Sequence, residues 1–170
     1  MRRVVITGMG TVNPIGNSVP EFWDNIKANK LGFNYTNFPE GDRIPVKIVA
    51  EVKDFAPEEY IEKKEAKRMD RFTQFAVASA VQAMKDSGSD FKDVDPYKAG
   101  VIVGVGIGGL ELTQQEHAKY LEKGPDKVSV FYIPMMIGNM AAGQVSIRTG
   151  FKGANFCTTT ACSSGAHAIG

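Results

Sequence analysis

Asn155-Phe156-Cys157-Thr158-Thr159-Thr160-Ala161-Cys162-Ser163-Ser164-Gly165-Ala166-His167 is the stretch that decides the fold. It opens as a run rich in β-branched residues and closes in small ones, the pattern of a strand turning sharply into a helix with Cys162 at the corner. A thiol at a helix N-terminus faces the positive end of the helix dipole, which favours the nucleophilic thiolate. Small flanking residues leave room for a substrate. The strand–nucleophile–helix logic is that of hydrolase elbows, with Cys in place of Ser. The alternative is a small Cys buried in a tight turn.

The rest of the chain is compatible with a sizeable core around that corner. Its 170 residues, 43% hydrophobic and 23% charged, suit one globular domain. A net charge of +1 exerts no global pull on nucleic acid or on an anionic membrane, so any electrostatic function must reside in local patches. The two cysteines, Cys157 and Cys162, lie roughly 16 Å apart if the segment between them is extended. A disulfide needs Cα atoms within about 7 Å. Two free thiols fit a reducing cytosol. The apolar run Arg3–Thr7 is too short for a signal core or a membrane span. The expected location is the cytoplasm.

Read in order, Arg3–Thr7 predicts a buried strand ended by Gly8-Met9-Gly10. Ser18, Pro20 and Glu21 predict a capped helix to about Asn29 that buries Phe22, Trp23 and Ile26. Residues 31–57 read as a long loop with a strand around Val46–Val52. Pro57 is expected to open a helix on which Lys63, Lys64, Lys67, Arg68 and Arg71 fall within an arc of about 140°, opposite Glu58, Glu59, Glu62 and Glu65. On charge alone this is a solvated helix laced with ion pairs; a ridge for an anionic partner is the other reading. A buried helix over Phe72–Met84 follows, closed by Gly88. Val101–Val103 predicts a second buried strand.

Gly104-Val105-Gly106-Ile107-Gly108-Gly109 comes next, ahead of a helix over Glu111–Leu121. The pattern matches a dinucleotide fingerprint, but a lone match is weak. A Gly-lined wall, where backbone approaches a buried ligand or a neighbouring element, is the favoured reading. Val128–Ile133 reads as extended, and Met135–Ile147 as one apolar helix ended by Gly150. Cys157, Cys162 and His167 are spaced five apart but include no Cys-x-x-Cys pair and no evident fourth ligand, so no metal site is expected. Five helical residues turn through about 140° net, which points His167 away from Cys162. His167 therefore has a packing or supporting role, and His117 sits on a polar helix face. The residues supply a candidate activated thiol and no base for it.

Thr159-Thr160-Ala161-Cys162-Ser163-Ser164-Gly165 resembles the nucleophile motif of the β-ketoacyl-acyl-carrier-protein synthases, the elongating condensing enzymes of dissociated fatty acid synthesis. The likeness continues in Arg3–Gly10 with Asn13–Asn17, in Lys67–Phe72, in Gly106–Gly109, in Pro134 with Asn139–Gly143, and in Gly150–Gly153, all in the family's order. It spans the whole chain and is strongest to the synthase II branch. The resemblance implies a thiolase-like layered α/β/α/β/α fold. Residues 1–170 would be its N-terminal half, ending in the nucleophile helix, with the C-terminal half absent. That half holds the family's two catalytic histidines, a supporting lysine and a second oxyanion donor.

By the same resemblance, Cys162 takes an acyl chain from acyl carrier protein, and decarboxylated malonyl carrier protein then attacks it. Lys64, Lys67 and Arg68 match positions that dock the carrier. Ile107 matches a gate of the acyl pocket. Tyr132 and Ile133 match positions that close the neighbouring subunit's pocket across a homodimer interface. No cofactor is implied. A polyketide ketosynthase, or a truncated non-catalytic subunit that binds carrier protein or a dimer partner, are the alternatives.

Overall fold

The computed structural model of the chain describes residues 3–35 and 43–170. They form two compact units, residues 1–56 with 81–89 and residues 57–80 with 90–170.

In the first unit, Asn13 and Gly16 exchange backbone hydrogen bonds of 3.0 and 3.1 Å and turn the chain into helix α1 (Val19–Lys27). The Ser18 side chain accepts the Glu21 N–H at 3.3 Å, the cap expected from sequence. The Glu21 carboxylate reaches back one residue further than a standard capping box, to the Asn17 N–H at 2.8 Å. Strands β1 (Phe33–Tyr35) and β2 (Ile48–Ala50) pair antiparallel, with Phe33 opposite Ala50 and Tyr35 opposite Ile48. The strand foreseen around Val46–Val52 is therefore present but shorter, its partner falls in what was read as loop, and residues 36–42 of that loop lie outside the described residues.

Two expectations fail in this unit. Residues 3–12 form no strand, and Val4 is 92% exposed, because no strand of the described residues lies beside the run to complete a ladder. Trp23 and Ile26 are exposed rather than buried, leaving Phe22 half-buried on α1.

In the second unit, the single charged helix expected from Pro57 is broken. A 3-10 turn (Pro57–Glu59) precedes helix α2 (Lys63–Ala66), and the separate helix expected over Phe72–Met84 is present as α3 (Arg71–Asp86). Asp70 makes the break: its side chain accepts the Phe72 N–H at 3.3 Å and its carbonyl accepts the Thr73 and Gln74 N–H groups, an N-cap that begins a new helix. The last turns of α3 count with the first unit. There Asp86 and Gln82 accept the backbone N–H groups of Met9 and Thr11 at 2.9 and 3.1 Å, and Gly88 closes the helix at φ +66° as expected.

Strand β3 (Val101–Gly104) runs parallel to β4 (Asn155–Thr158), with Val101 opposite Asn155 and Gly104 opposite Thr158. The crossover between them holds helices α4 (Leu110–Lys123), α5 (Tyr132–Met136) and α6 (Met140–Thr149). The stretch read as extended over Val128–Ile133 thus ends in a helix, and the long apolar helix of the sequence reading is two. Pro134 does not prevent α5, because it occupies the first turn, where a helix N–H lacks an intrahelical acceptor. Gly150 ends α6 in the left-handed conformation, φ 75°. Helix α7 (Ser164–Ile169) closes the chain.

The core of this unit joins Val77 and Ala78 of α3 to Ala141, Ala142 and Val145 of α6, with Ile61, Ala66, Val101 and Val105. Thr73 and Val77 of α3, and Ala141 and Val145 of α6, stand about one turn apart, the stripe that a 3.6-residue period places on one face. Fully burying Val77 contributes roughly 1.5–3 kcal/mol.

One polar atom interrupts this core. The Thr73 hydroxyl is buried in a residue only 1% exposed and has no hydrogen-bond partner. A buried hydroxyl without a partner costs about 1–3 kcal/mol. Thr73→Val keeps the shape and removes that cost, so the variant is predicted to unfold at higher denaturant, with a gain of about 1 kcal/mol. An unchanged or lowered midpoint would refute it.

Candidate active site

Cys162 stands where the sequence reading put it. Strand β4 ends at Thr158, residues 161–163 make a single 3-10 turn, and α7 follows at Ser164. Cys162 is exposed and Cys157 half-buried, and both are free thiols. The alternative of a buried turn-filling Cys does not hold for Cys162. The residue before it, Ala161, has φ +49°, a left-handed backbone that costs a residue with a Cβ on the order of 1–2 kcal/mol. The strained residue directly precedes a thiol presented at a sharp strand-to-helix corner, the kind of turn on which a nucleophile elbow is built.

Small residues make the corner possible. A Cβ built on Gly104 would lie 2.2 Å from the Ser164 carbonyl oxygen, so the end of β3 and the start of α7 touch backbone to backbone. The glycines that follow act in the same way. Gly108 has φ +99°, and a Cβ there would lie 2.3 Å from the Met136 carbonyl, which itself accepts the Gly109 N–H at 2.9 Å. The Gly104–Gly109 stretch is a wall pressed against α5 and α7, as favoured over a phosphate cradle.

Two cavities adjoin that wall. One of about 380 Å³ is lined by Val105, Ile107, Ile137, Phe156, Cys157 and Thr159 among others. The second, of about 550 Å³, lies between Phe72 and Phe75 of α3 and residues 103–108. Ile107 is common to both and is 72% exposed, a side chain standing free between two openings. Cys162 lines neither. Cys157 lines the first, a position that sequence spacing alone did not indicate.

The other candidates lie apart. Lys64 is on α2, and Lys67 and Arg68 are in the turn after it, all three exposed. The Arg68 guanidinium lies 5.0 Å from the centroid of the Phe131 ring. Tyr132 and Ile133 open α5; Ile133 is exposed, while Tyr132 donates to the Thr113 hydroxyl at 3.3 Å and lines a separate apolar cavity of about 240 Å³ with His117 and Tyr120. His117 is exposed, as expected. His167 Nδ1 meets the Thr160 hydroxyl at 2.8 Å, a supporting contact within the elbow loop. Among the described residues no three His, Cys, Asp or Glu side chains gather in a group able to hold a metal ion. No helix among them is long and apolar enough to cross a membrane.

Glu116 is a structural residue that sequence reading passed over, since nothing in its helical position marks it as buried. Its side chain is 3% exposed. It is bonded to the Lys119 ammonium and accepts the Ser129 N–H at 2.7 Å. The Lys119 bond, and after it the Ser129 N–H, hold its carboxyl below the ordinary glutamate value, with burial acting in the opposite sense.

The architecture is that of the thiolase-like ketosynthases. A chain of a type II polyketide acyl-carrier protein in complex with its ketosynthase bound to the hexaketide superposes with a TM-score of 0.83 at 23% identity, covering 100% of this chain and 45% of that one. A β-ketoacyl synthase from Burkholderia phymatum STM815 gives 0.78 at 28% identity, over 99% and 42% of the two chains. The sequence matches the β-ketoacyl synthase N-terminal domain across residues 1–170, and the chain belongs to that family. The 3-oxoacyl-[acyl-carrier-protein] synthase 2 of Staphylococcus aureus (strain N315) is 45% identical over 169 residues, and that of Synechocystis sp. (strain ATCC 27184 / PCC 6803 / Kazusa) 42% over 170. Each match covers 99% of this chain and 41% of the relative, so the chain spans about two fifths of their length.

The lowered Glu116 pKa carries a sign. A carboxylate depressed by folding contributes stability above its unfolded pKa and loses it as pH falls through the lower, folded value. Thermal unfolding followed from neutral pH into acid should therefore show a loss below the ordinary glutamate range that Glu116→Gln lacks. Parallel curves for the two proteins would exclude this role.

Proposed function

We propose that this chain carries the nucleophile of a β-ketoacyl-acyl-carrier-protein synthase of fatty acid elongation, with Cys162 as the acyl acceptor. The observation that carries the reading is the exposed, free Cys162 at the strand–helix corner, directly after the left-handed Ala161. In this reading the Cys162 thiolate attacks the carbonyl of an acyl thioester on the carrier protein. A new C–S bond forms, the acyl–carrier C–S bond breaks, and the carrier's departing sulfur takes up the proton that Cys162 lost on ionising. The backbone N–H of Cys162 serves as one oxyanion donor. Loss of CO₂ from malonyl carrier protein then yields a carbanion that attacks the Cys162 thioester; a C–C bond forms, the C–S bond breaks, and the product is a β-ketoacyl thioester two carbons longer. The groups that promote decarboxylation belong, by the family resemblance, to the second half of the fold.

The relatives at 42–45% identity are 3-oxoacyl-[acyl-carrier-protein] synthases 2, which supports this reading over a polyketide ketosynthase, a likeness carried chiefly by fold. Ile107 is the acyl-pocket gate in this scheme, in keeping with its place between two cavities. Lys64, Lys67 and Arg68 dock the acidic carrier protein. Tyr132 and Ile133 face the second subunit of a homodimer. The two free thiols fit a cytoplasmic setting.

Incubating the full-length protein with acyl-loaded carrier protein should add the acyl mass to the Cys162 peptide, and Cys162→Ala should add none. Wild-type protein that never acylates at Cys162 would defeat the reading. For docking, Lys67→Glu and Arg68→Glu should each raise KM for the carrier-bound chain about five- to ten-fold with little change in kcat, in the manner of steering charges. Equal KM values would remove the ridge from the carrier site.

A further inference from the structure

The elbow contains a hydroxyl for which the condensation itself has no use. Ser164 is 3% exposed, yet both capacities of its side chain are engaged. Its Oγ accepts the Thr160 N–H at 2.8 Å and donates to the Ala161 carbonyl at 2.7 Å. The Ser164 N–H is directed to the same Ala161 carbonyl. One hydroxyl therefore ties the 159–160 peptide to the 161–162 peptide, spanning Thr160 and Ala161, the residue with φ +49°. Ser164 is itself fixed from outside the loop: its carbonyl accepts the Thr158 hydroxyl at 2.9 Å and lies against Gly104, where no Cβ fits. The Thr160 hydroxyl is tied in turn to His167.

We propose that Ser164 is the positioning residue for Cys162: its buried hydroxyl holds Ala161 in the left-handed conformation and thereby aims the thiol out of the corner. Ala161 is exposed, so packing does not impose its backbone; without the hydroxyl the Thr160 N–H loses its acceptor and the Ala161 carbonyl keeps only the Ser164 N–H, which loosens the hold on the left-handed φ. The change would rotate the peptide that leads into Cys162. An ångström-scale misplacement of a reacting atom is costly because reaction depends on near-attack geometry. The inference rests on the reading of Cys162 as the acyl acceptor.

The test is made on the full-length protein by two readouts: acylation kinetics from acyl carrier protein, and iodoacetamide alkylation of the Cys162 peptide resolved by mass spectrometry. Ser164→Ala is expected to lower kcat for acylation about ten-fold or more with KM for the carrier-bound chain unchanged, and to slow Cys162 alkylation in parallel. Adding Ala161→Gly to Ser164→Ala should restore most of both rates, because glycine takes positive φ without being held. Wild-type reactivity in Ser164→Ala overturns the proposal, as does a loss that the added Ala161→Gly change does not rescue, which would mark Ser164 as packing alone. Should Ser164→Ala not fold, Ala161→Val tests the same geometry at an exposed position: a β-branched residue resists positive φ, so the expected loss is similar, and full reactivity overturns the proposal. Should wild-type Cys162 alkylate but never acylate, the condensing reading falls while the alkylation series still decides the role of Ser164.

Discussion

A side chain at position 104 would collide with the backbone of the helix that follows Cys162, and the site is arranged around that constraint. With glycine there, α7 begins against the end of β3, 2.2 Å from where a Cβ would stand. Strand β4, hydrogen-bonded beside β3, then has only residues 159–163 in which to leave the sheet and enter the helix. So tight a reversal calls for a residue off the ordinary backbone map, and Ala161 takes that role. The same contact buries Ser164, where leaving its hydroxyl without a partner would cost about 1–3 kcal/mol. The partners within reach are the Thr160 N–H and the Ala161 carbonyl. The presentation of the thiol thus descends from one close backbone contact made at the end of the neighbouring strand.

The parts of this arrangement that were legible in the sequence are those decided locally. Ser18 and Pro20 announce α1, Gly88 and Gly150 end α3 and α6, and the β-branched run before Cys162 ends in the predicted corner. Each rests on the conformational limits of a single residue, which a sequence displays directly. The failures are of the opposite kind. Val4–Ile6 have the composition of a buried strand, but strand formation depends on a neighbour, and none of the described residues supplies one. The charged stretch from Pro57 has a helical period throughout, yet it forms only a 3-10 turn and the short α2, and Arg71 joins the next helix, which Asp70 caps. Ser164 and Glu116 carried no signal at all, because a serine among small residues and a glutamate on a polar helix are ordinary until tertiary contacts bury them.

The break at Asp70 alters how the basic residues work. On one continuous helix Lys64, Lys67 and Arg68 would share a face by periodicity alone. Here Lys67 and Arg68 leave α2, and the Arg68 guanidinium instead rests on the Phe131 ring. Phe131 directly precedes Tyr132 and Ile133, so Arg68 sits beside the segment that opens α5. That segment is fastened at its start by the Ser129 N–H bond to Glu116 and further on by the Tyr132 bond to Thr113, both acceptors lying on α4. Glu116 is ionised and almost out of water, which makes its bond to Ser129 charge-assisted and correspondingly strong. Its influence is by position: through the Ser129 N–H it sets where the chain carrying Phe131, Tyr132 and Ile133 begins.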